Sequence, residues 1–403
     1  MPSHDLPSAS TGARRVLIVG GGTAGITVAA RLRRAGVTGV TLLDPSDTHW
    51  YQPLWTLVGG GQAPLRITWR PQATVIPPGV SWIRDAATAV DPEARRVTTA
   101  GGAELDYDLL VLAPGIQLNW QAVPGLADAV GRDVVTSNYS SAYAPRTWEL
   151  IRSMRSGTAV FTQPSGPFKC GGAPQKIAYL AADYWRRKGC LKDIRIILVI
   201  PDAAIFKAAP WVPLLDRVAA RYGIEVRLRS ELVALDPARR EATIAGDTGK
   251  EVVRYDLLHA VPPQSAPDWI KQSTPLADPS GYLEVDRHTL AHPRHPEIFA
   301  LGDAAGLPTS KTGAAIRKQA PVVVENLLAA MHGRPATARY DGYTSCPLVT
   351  ARDRMLLAEF DYDQRPTPTI PFIDTMKERR DMWLLKRYGL PAMYWHGMLK
   401  GRA

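Results

Sequence analysis

Three cysteines, Cys170, Cys190 and Cys346, are the residues of this 403-residue chain best suited to redox or nucleophilic chemistry. They are too few and too scattered for a disulfide framework, and their spacing matches no zinc pattern, so no metal is expected. Cys170 stands in KCGGAPQK, just before a helical segment whose first residues read as Ala173 and Pro174. A thiol at that position has its pKa lowered by the helix dipole and by Lys169 or Lys176. Gly171 and Gly172 clear side chains from beside the sulfur and leave room for a cofactor or a small substrate. Cys346, in YTSCPLVT, lies in a turn-like segment between Ser345 and Pro347. Cys190, in RRKGC after a helix, reads as an inert buried thiol, which is what an isolated cysteine most often is.

A second set of residues points to a dinucleotide. Gly20, Gly22 and Gly25 form G-x-G-x-x-G directly after the apolar run VLIV, and Asp44 closes the next strand. The first glycine permits a tight turn, the second lets the backbone approach a pyrophosphate, and the third lets helix and strand pack closely. The helix N-terminus offers unpaired N–H groups to phosphates, while Asp44 can accept from an adenosine ribose. A bare strand-to-helix turn would explain the glycines but not the strand, helix and acid together. IFALGDAAG, with Asp303 after a strand and before a helix, resembles the C-terminal flavin motif of two-dinucleotide-binding-domain flavoproteins, and YDLLVLAPG, with Pro114, resembles their middle motif. These signals favour FAD over NAD. In the second nucleotide position the loop reads GPFKCGGAPQ and the next strand ends Val199-Ile200-Pro201, without a ribose-binding acid. Nicotinamide binding is therefore not expected, and some other reductant must reach the flavin.

The elements that position these residues repeat an α/β plan. Arg14 to Asp47 reads as a strand, glycine turn, helix and strand; after a Pro- and Trp-rich passage, short strands from Val80 form a meander that feeds a parallel strand ending at Pro114-Gly115. A second cycle begins near Gly157, and the chain returns to the first domain at HPEIFALGDAAG. The predicted fold is α/β, with two Rossmann-like dinucleotide-binding domains and a small C-terminal membrane-associating region. Expected boundaries are a disordered 1–13, an FAD-binding domain over 14–125 and 266–338, a pseudo-NAD(P)-binding domain over 126–265 carrying Cys170, and a C-terminal region over 339–403 carrying Cys346.

The hydrophobic fraction of 45% and charged fraction of 21% are those of a compact globular protein. A net charge of +10 asks for an anionic partner, which nucleic acid, an anionic membrane or an anionic ligand would satisfy. No apolar run reaches the roughly 18 residues of a membrane-spanning helix, and Met1 to Arg15 lacks the apolar core of a secretory signal. The segment MKERRDMWLLKRYGLPAMYWHGMLKGRA combines aromatic and apolar residues with seven basic and two acidic ones. It suits either a membrane interface, where Lys and Arg snorkel to headgroups, or an amphipathic helix packed on its own domain.

KCGGAPQKIAYL, LPTSKTGAA, DGYTSCPLVT, LAEFDYD and THWYQPLWTLVGGG resemble the sulfide:quinone oxidoreductases of the type that includes the mitochondrial enzyme, and the similarity runs from about Arg14 onward. The resemblance implies that Cys170 and Cys346 form a redox-active disulfide, with or without a bridging sulfur. Hydrogen sulfide would attack at Cys346 and leave a persulfide there, and Cys170 would donate electrons to the flavin C4a position. A small acceptor such as sulfite, glutathione or another thiol would remove the sulfur, and a membrane quinone would take the electrons. Flavin contacts carry over to Gly22, Thr23, Asp44, Gln52, Ala87, Asp303 and Gly313. Lys386 would donate to the quinone or touch a lipid headgroup. Asp44 departs from the more usual Glu. The implied location is a membrane surface, the cytoplasmic face of a bacterial inner membrane or a mitochondrial inner membrane; self-association is left open, and no nucleic acid is expected. Three rivals differ in testable ways: a type II NADH:quinone oxidoreductase would need the missing second fingerprint, a flavocytochrome sulfide dehydrogenase subunit an export signal, and a non-catalytic flavin-binding interaction protein would leave the dithiol idle.

Overall fold

The computed structural model describes residues 14–272 and 275–403; the expected disorder of 1–13 falls outside them. Two five-stranded parallel sheets organise the chain. The first runs in the order Ile298–Ala300, Leu109–Leu112, Val16–Val19, Val40–Leu43 and Ser81–Ile83. The second runs Val135–Thr136, Leu257–His259, Gly157–Thr162, Ile194–Val199 and Glu225–Arg227. In both sheets the inner strands are buried over most of their length, so continuous runs such as VLIV, LLVL and the AVFT of Gly157–Thr162 replace the alternation of a half-exposed strand. A three-stranded antiparallel meander accompanies each sheet, Ala87–Asp91, Arg96–Thr99 and Glu104–Asp106 in one case and Ser230–Asp236, Glu241–Gly246 and Gly249–Arg254 in the other. The first sheet takes its outer strand from residues 298–300, which pair in parallel with Leu109–Leu112.

The helix Thr23–Arg34 follows the first strand so closely that a β-carbon at Gly25 would collide with the Gly20 carbonyl oxygen, and Gly20 itself turns with φ +101° against the Ala113 carbonyl. Only glycine fits both positions. After the helix Gly313–Met331, an antiparallel hairpin of Thr344–Ala351 and Arg354–Phe360 pairs Cys346 with Ala358 and lies against the helix Ala173–Arg187. The buried carboxylate of Asp183 ties the two together, accepting from Arg352 N at 3.0 Å, Arg187 at 2.8 Å and Tyr222 at 3.2 Å. The basic tail is helical without a break from Arg380 to Lys400, but its turns change type along the way, with π-helical stretches over Leu385–Gly389 and Met393–Gly397. Among the described residues no helix is long and apolar enough to cross a membrane.

Candidate active site

The glycine turn opens toward free space where phosphates would lie. A β-carbon at Gly22, Gly115 or Gly313 would meet no protein atom within 4 Å, although each sits at a strand end or a helix start. No side chain caps the helix Thr23–Arg34, so its first N–H groups remain available to an anion. Asp44, just past the second strand, accepts from Gly21 N at 2.6 Å and Ser46 N at 2.8 Å. Burial nonetheless pushes its carboxyl above the usual carboxylate range, with those two bonds opposing. Asp303 lies in the short turn Gly302–Ala304 after the strand Ile298–Ala300 and has no hydrogen-bond partner among the described residues. Burial raises its pKa too, against the pull of Lys311 and Lys169. A half-buried carboxylate without a partner among the described residues, together with glycines that open to free space, fits the ribityl and pyrophosphate contacts of FAD. Ala87 opens the strand Ala87–Asp91, is buried, and offers only a methyl group.

The two cysteines expected to cooperate meet at the C-terminal end of the second sheet. Cys170 adopts φ +58°, a left-handed conformation costly for a non-glycine residue, held by Cys170 N to the Lys311 carbonyl at 2.9 Å. That bond fastens the cysteine loop directly to the segment following Asp303. Cys346 comes from the buried side of the hairpin and is fully buried, whereas Cys170 is partly open. The Cys170 thiol is held well below the usual range by the hydrogen bond from Cys346 first, then by the ammonium of Lys176 and the more distant Lys386, against the opposing effect of burial. The Lys176 Nζ donates to Cys170 Sγ at 3.1 Å. Cys346 is pushed up, as the partner that keeps its proton and donates it. Of the two lysines flanking Cys170 in sequence, Lys176 is therefore its cation. Lys169 turns away, donating to Gln52 Oε1 at 2.7 Å beneath the Trp55 ring. Gln52 is exposed but engaged, not an idle surface amide.

Lys386 is 2% exposed and its Nζ donates to the Pro53 carbonyl at 2.9 Å. Burial and the charge of Lys176 lower its pKa to about 7. The side chain points into the protein toward the thiols, so the headgroup alternative finds no support in its geometry. Lys311, which the sequence reading did not single out, donates to Ala305 O at 3.1 Å and lies over the Tyr282 ring, with its pKa lowered to about 8 by burial. Tyr139 was also missed; its hydroxyl fixes the Lys169 carbonyl at 3.0 Å. Lys311 stands in TSKTG, beside Gly313, and a basic residue inside a flavin-adjacent loop was the available signal. Nothing local marks Tyr139. Cys190 is buried with its sulfur 3.7 Å from the Trp185 carbonyl, as an inert thiol would be.

The missing second fingerprint has a structural counterpart. A β-carbon at Gly172, at the head of the helix Ala173–Arg187, would collide with Leu348 of the hairpin. The C-terminal hairpin thus covers the helix end at which a second dinucleotide would present its phosphates.

Comparison with known proteins agrees with this arrangement. The family described as pyridine nucleotide-disulphide oxidoreductase matches residues 14–326. The chain is 41% identical over 392 residues to the mitochondrial sulfide:quinone oxidoreductase of Dictyostelium discoideum, covering 96% of this chain and 86% of that one. Against the protein of the same name from Mus musculus the identity is 40% over 392 residues, with the same 96% and 86% coverage. The X-ray structure of the sulfide:quinone oxidoreductase from the hyperthermophilic bacterium Aquifex aeolicus covers 97% of this chain and 92% of its own, with a TM-score of 0.81 at 19% identity, a likeness of fold. The fold, the flavin-fitting turn and the extent of these matches together mean that the chain belongs to the pyridine nucleotide-disulphide oxidoreductase family, among its FAD-dependent sulfide:quinone oxidoreductases.

Proposed function

We propose that this chain oxidises hydrogen sulfide to sulfane sulfur through the Cys170–Cys346 pair and passes two electrons by way of FAD to a membrane quinone. The observation that carries the reading is the Cys346–Cys170–Lys176 constellation, placed where a nicotinamide loop would otherwise lie and bonded through Lys311 to the flavin segment. In the oxidised pair a hydrosulfide ion attacks Cys346 Sγ. A sulfur–sulfur bond forms there, the bond to Cys170 breaks, and Cys170 leaves as a thiolate. Lys176, 3.1 Å away, stabilises that charge, and a thiol of low pKa is the better leaving group. An acceptor thiolate or sulfite then takes the outer sulfur and releases Cys346. Re-forming the Cys170–Cys346 disulfide gives up two electrons and two protons; FAD, held at the Gly22 turn and by Asp303, would supply the two-electron carrier between the thiols and the quinone.

Sulfite, glutathione and other thiols are the acceptor classes suited to this site, since its buried lysines Lys176, Lys311 and Lys386 favour anions. Lys386 is assigned as the donor to a quinone oxygen: a lysine titrating near 7 can carry a proton and give it up. A membrane surface, on the cytoplasmic face of a bacterial inner membrane or on a mitochondrial inner membrane, is supported by Phe372, Leu384 and Tyr388, which are exposed beside basic residues of the tail. The test is an anaerobic titration of the flavin spectrum with sulfide, followed by a short-chain quinone. Sulfide is expected to bleach the flavin and the quinone to restore it, and Cys346→Ser is expected to keep its FAD but not bleach. Bleaching by NADH instead would revive the type II NADH:quinone reading, and normal turnover by Cys346→Ser would defeat the dithiol mechanism.

A further inference from the structure

Tyr394 is separated from Thr23 by 371 residues, yet its hydroxyl stands 3.0 Å from Thr23 Oγ1 at the start of the flavin-facing helix. The same hydroxyl lies 2.5 Å from His49 Nε2. The far side of the imidazole fixes the direction of these bonds. His49 Nδ1 is 3.1 Å from the Gly21 carbonyl oxygen, which can only accept, so Nδ1 carries the hydrogen and Nε2 must accept from Tyr394. Burial lowers the His49 pKa to about 4, so the ring stays neutral and Nε2 remains free to accept. The Tyr394 oxygen is then left to accept from Thr23. Gln72 completes the arrangement by donating to the same Gly21 carbonyl at 2.8 Å.

The bonds therefore run from Thr23 through Tyr394 and His49 to Gly21. They close a ring around Gly22, the one residue of the turn facing open space. Packing holds the tyrosine in place, with the Tyr51 ring 4.4 Å from its own, and Arg31 of the same helix bonds the Ala403 carbonyl at 2.7 Å. The chain of bonds ends on both sides of Gly22, at the Thr23 hydroxyl and at the Gly21 carbonyl.

We propose that Tyr394 and His49 are positioning residues for FAD: they hold Gly21–Gly22–Thr23 in its phosphate-binding shape, so that docking of the segment 393–403 and retention of the flavin are coupled. Coupling of this kind is reciprocal, each event favouring the other by the same factor. The inference rests on the assignment of FAD and not on sulfide as substrate.

Tyr394→Phe keeps the ring and removes the hydroxyl. Apoprotein titrated with FAD, followed by flavin fluorescence quenching, is expected to show affinity lower by about 5- to 10-fold, the size of one lost buried hydrogen bond or slightly more. The urea midpoint of the apoprotein should move less than that of the flavin-bound form. An unchanged FAD affinity, with both forms losing equal stability, would overturn the proposal and reduce the contact to ordinary packing. Should the variant not fold, hydrogen exchange on the unaltered protein decides: amides of 393–403 are expected to be better protected with FAD than without, and equal protection would overturn the coupling. Sulfide enters neither measurement, so a failure here leaves the proposed reaction to stand or fall on its own titration.

Discussion

Removing the ammonium at position 176 isolates what the protein does to Cys170. In Lys176→Met the thiolate loses a charged donor at 3.1 Å while Cys346 and the helix end remain. A hydrogen bond to a charged group contributes about 1.5–3 kcal/mol, so the ratio of thiolate to thiol at fixed pH should fall on the order of 10- to 100-fold. The thiolate that does form is more nucleophilic, by roughly the square root of that factor, because nucleophilicity rises with basicity at a slope near one half. The net loss in alkylation rate below neutral pH is then about 3- to 10-fold. The assay is iodoacetamide labelling of the reduced protein from pH 5 to 9, quantified on the Cys170 peptide by mass spectrometry. The whole rate profile should move to higher pH, and Lys176→Arg, which keeps a cation, should move it less. A profile in Lys176→Met that coincides with that of the unaltered protein would refute the assignment of Lys176 as the thiolate's counter-ion and leave Cys346 and Lys386 to account for the low pKa.

Two further outcomes follow from geometry and burial. Gly22→Val, at φ −74° in open space, should leave apoprotein stability within about 0.5 kcal/mol yet abolish tight FAD binding, whereas Gly20→Val, at φ +101°, should destabilise the apoprotein itself, as thermal unfolding and flavin titration would show. Lys386 has its pKa lowered from 10.5 to about 7, so between those values the unfolded chain holds a proton that the folded one has shed and stability rises with pH. Lys386→Met should remove up to about 1.4 kcal/mol per pH unit from that slope; urea unfolding of the apoprotein at pH 7, 8 and 9 measures it, and an unchanged slope would contradict the burial of an unpaired lysine.

The parts of this molecule that could be read from sequence are those set by short-range rules. VLIV, the three glycines and Asp44 announce a dinucleotide turn because each glycine answers a steric demand within a few residues. The two Rossmann-like sheets follow from apolar runs too long and too uniform for one-sided strands. Pairing Cys170 with Cys346 needed a family resemblance, since nothing in the spacing brings a loop after the second sheet's first long strand to a hairpin near residue 350. Lys386 could be read as a quinone donor or as a headgroup contact, because the tail's charge is legible while the packing that buries its ammonium against the Pro53 carbonyl is not. His49 and Tyr394 escaped for the same reason: a buried histidine in a Trp-rich stretch and a tyrosine in an aromatic tail have ordinary explanations until the fold places them on either side of one carbonyl and one hydroxyl.

The separation of Thr23 from Tyr394 also sets a clock. At the usual 5–20 residues per second, roughly twenty seconds to more than a minute of synthesis separates the glycine turn from the hydroxyl that bonds it. During that interval the strand, helix, His49 and Gln72 already exist, and the nascent chain can meet flavin with only part of the ring in place. Firm capture of the cofactor then becomes a late event in the making of the protein, timed by the arrival of Tyr394 rather than by the folding of the domain that carries the fingerprint.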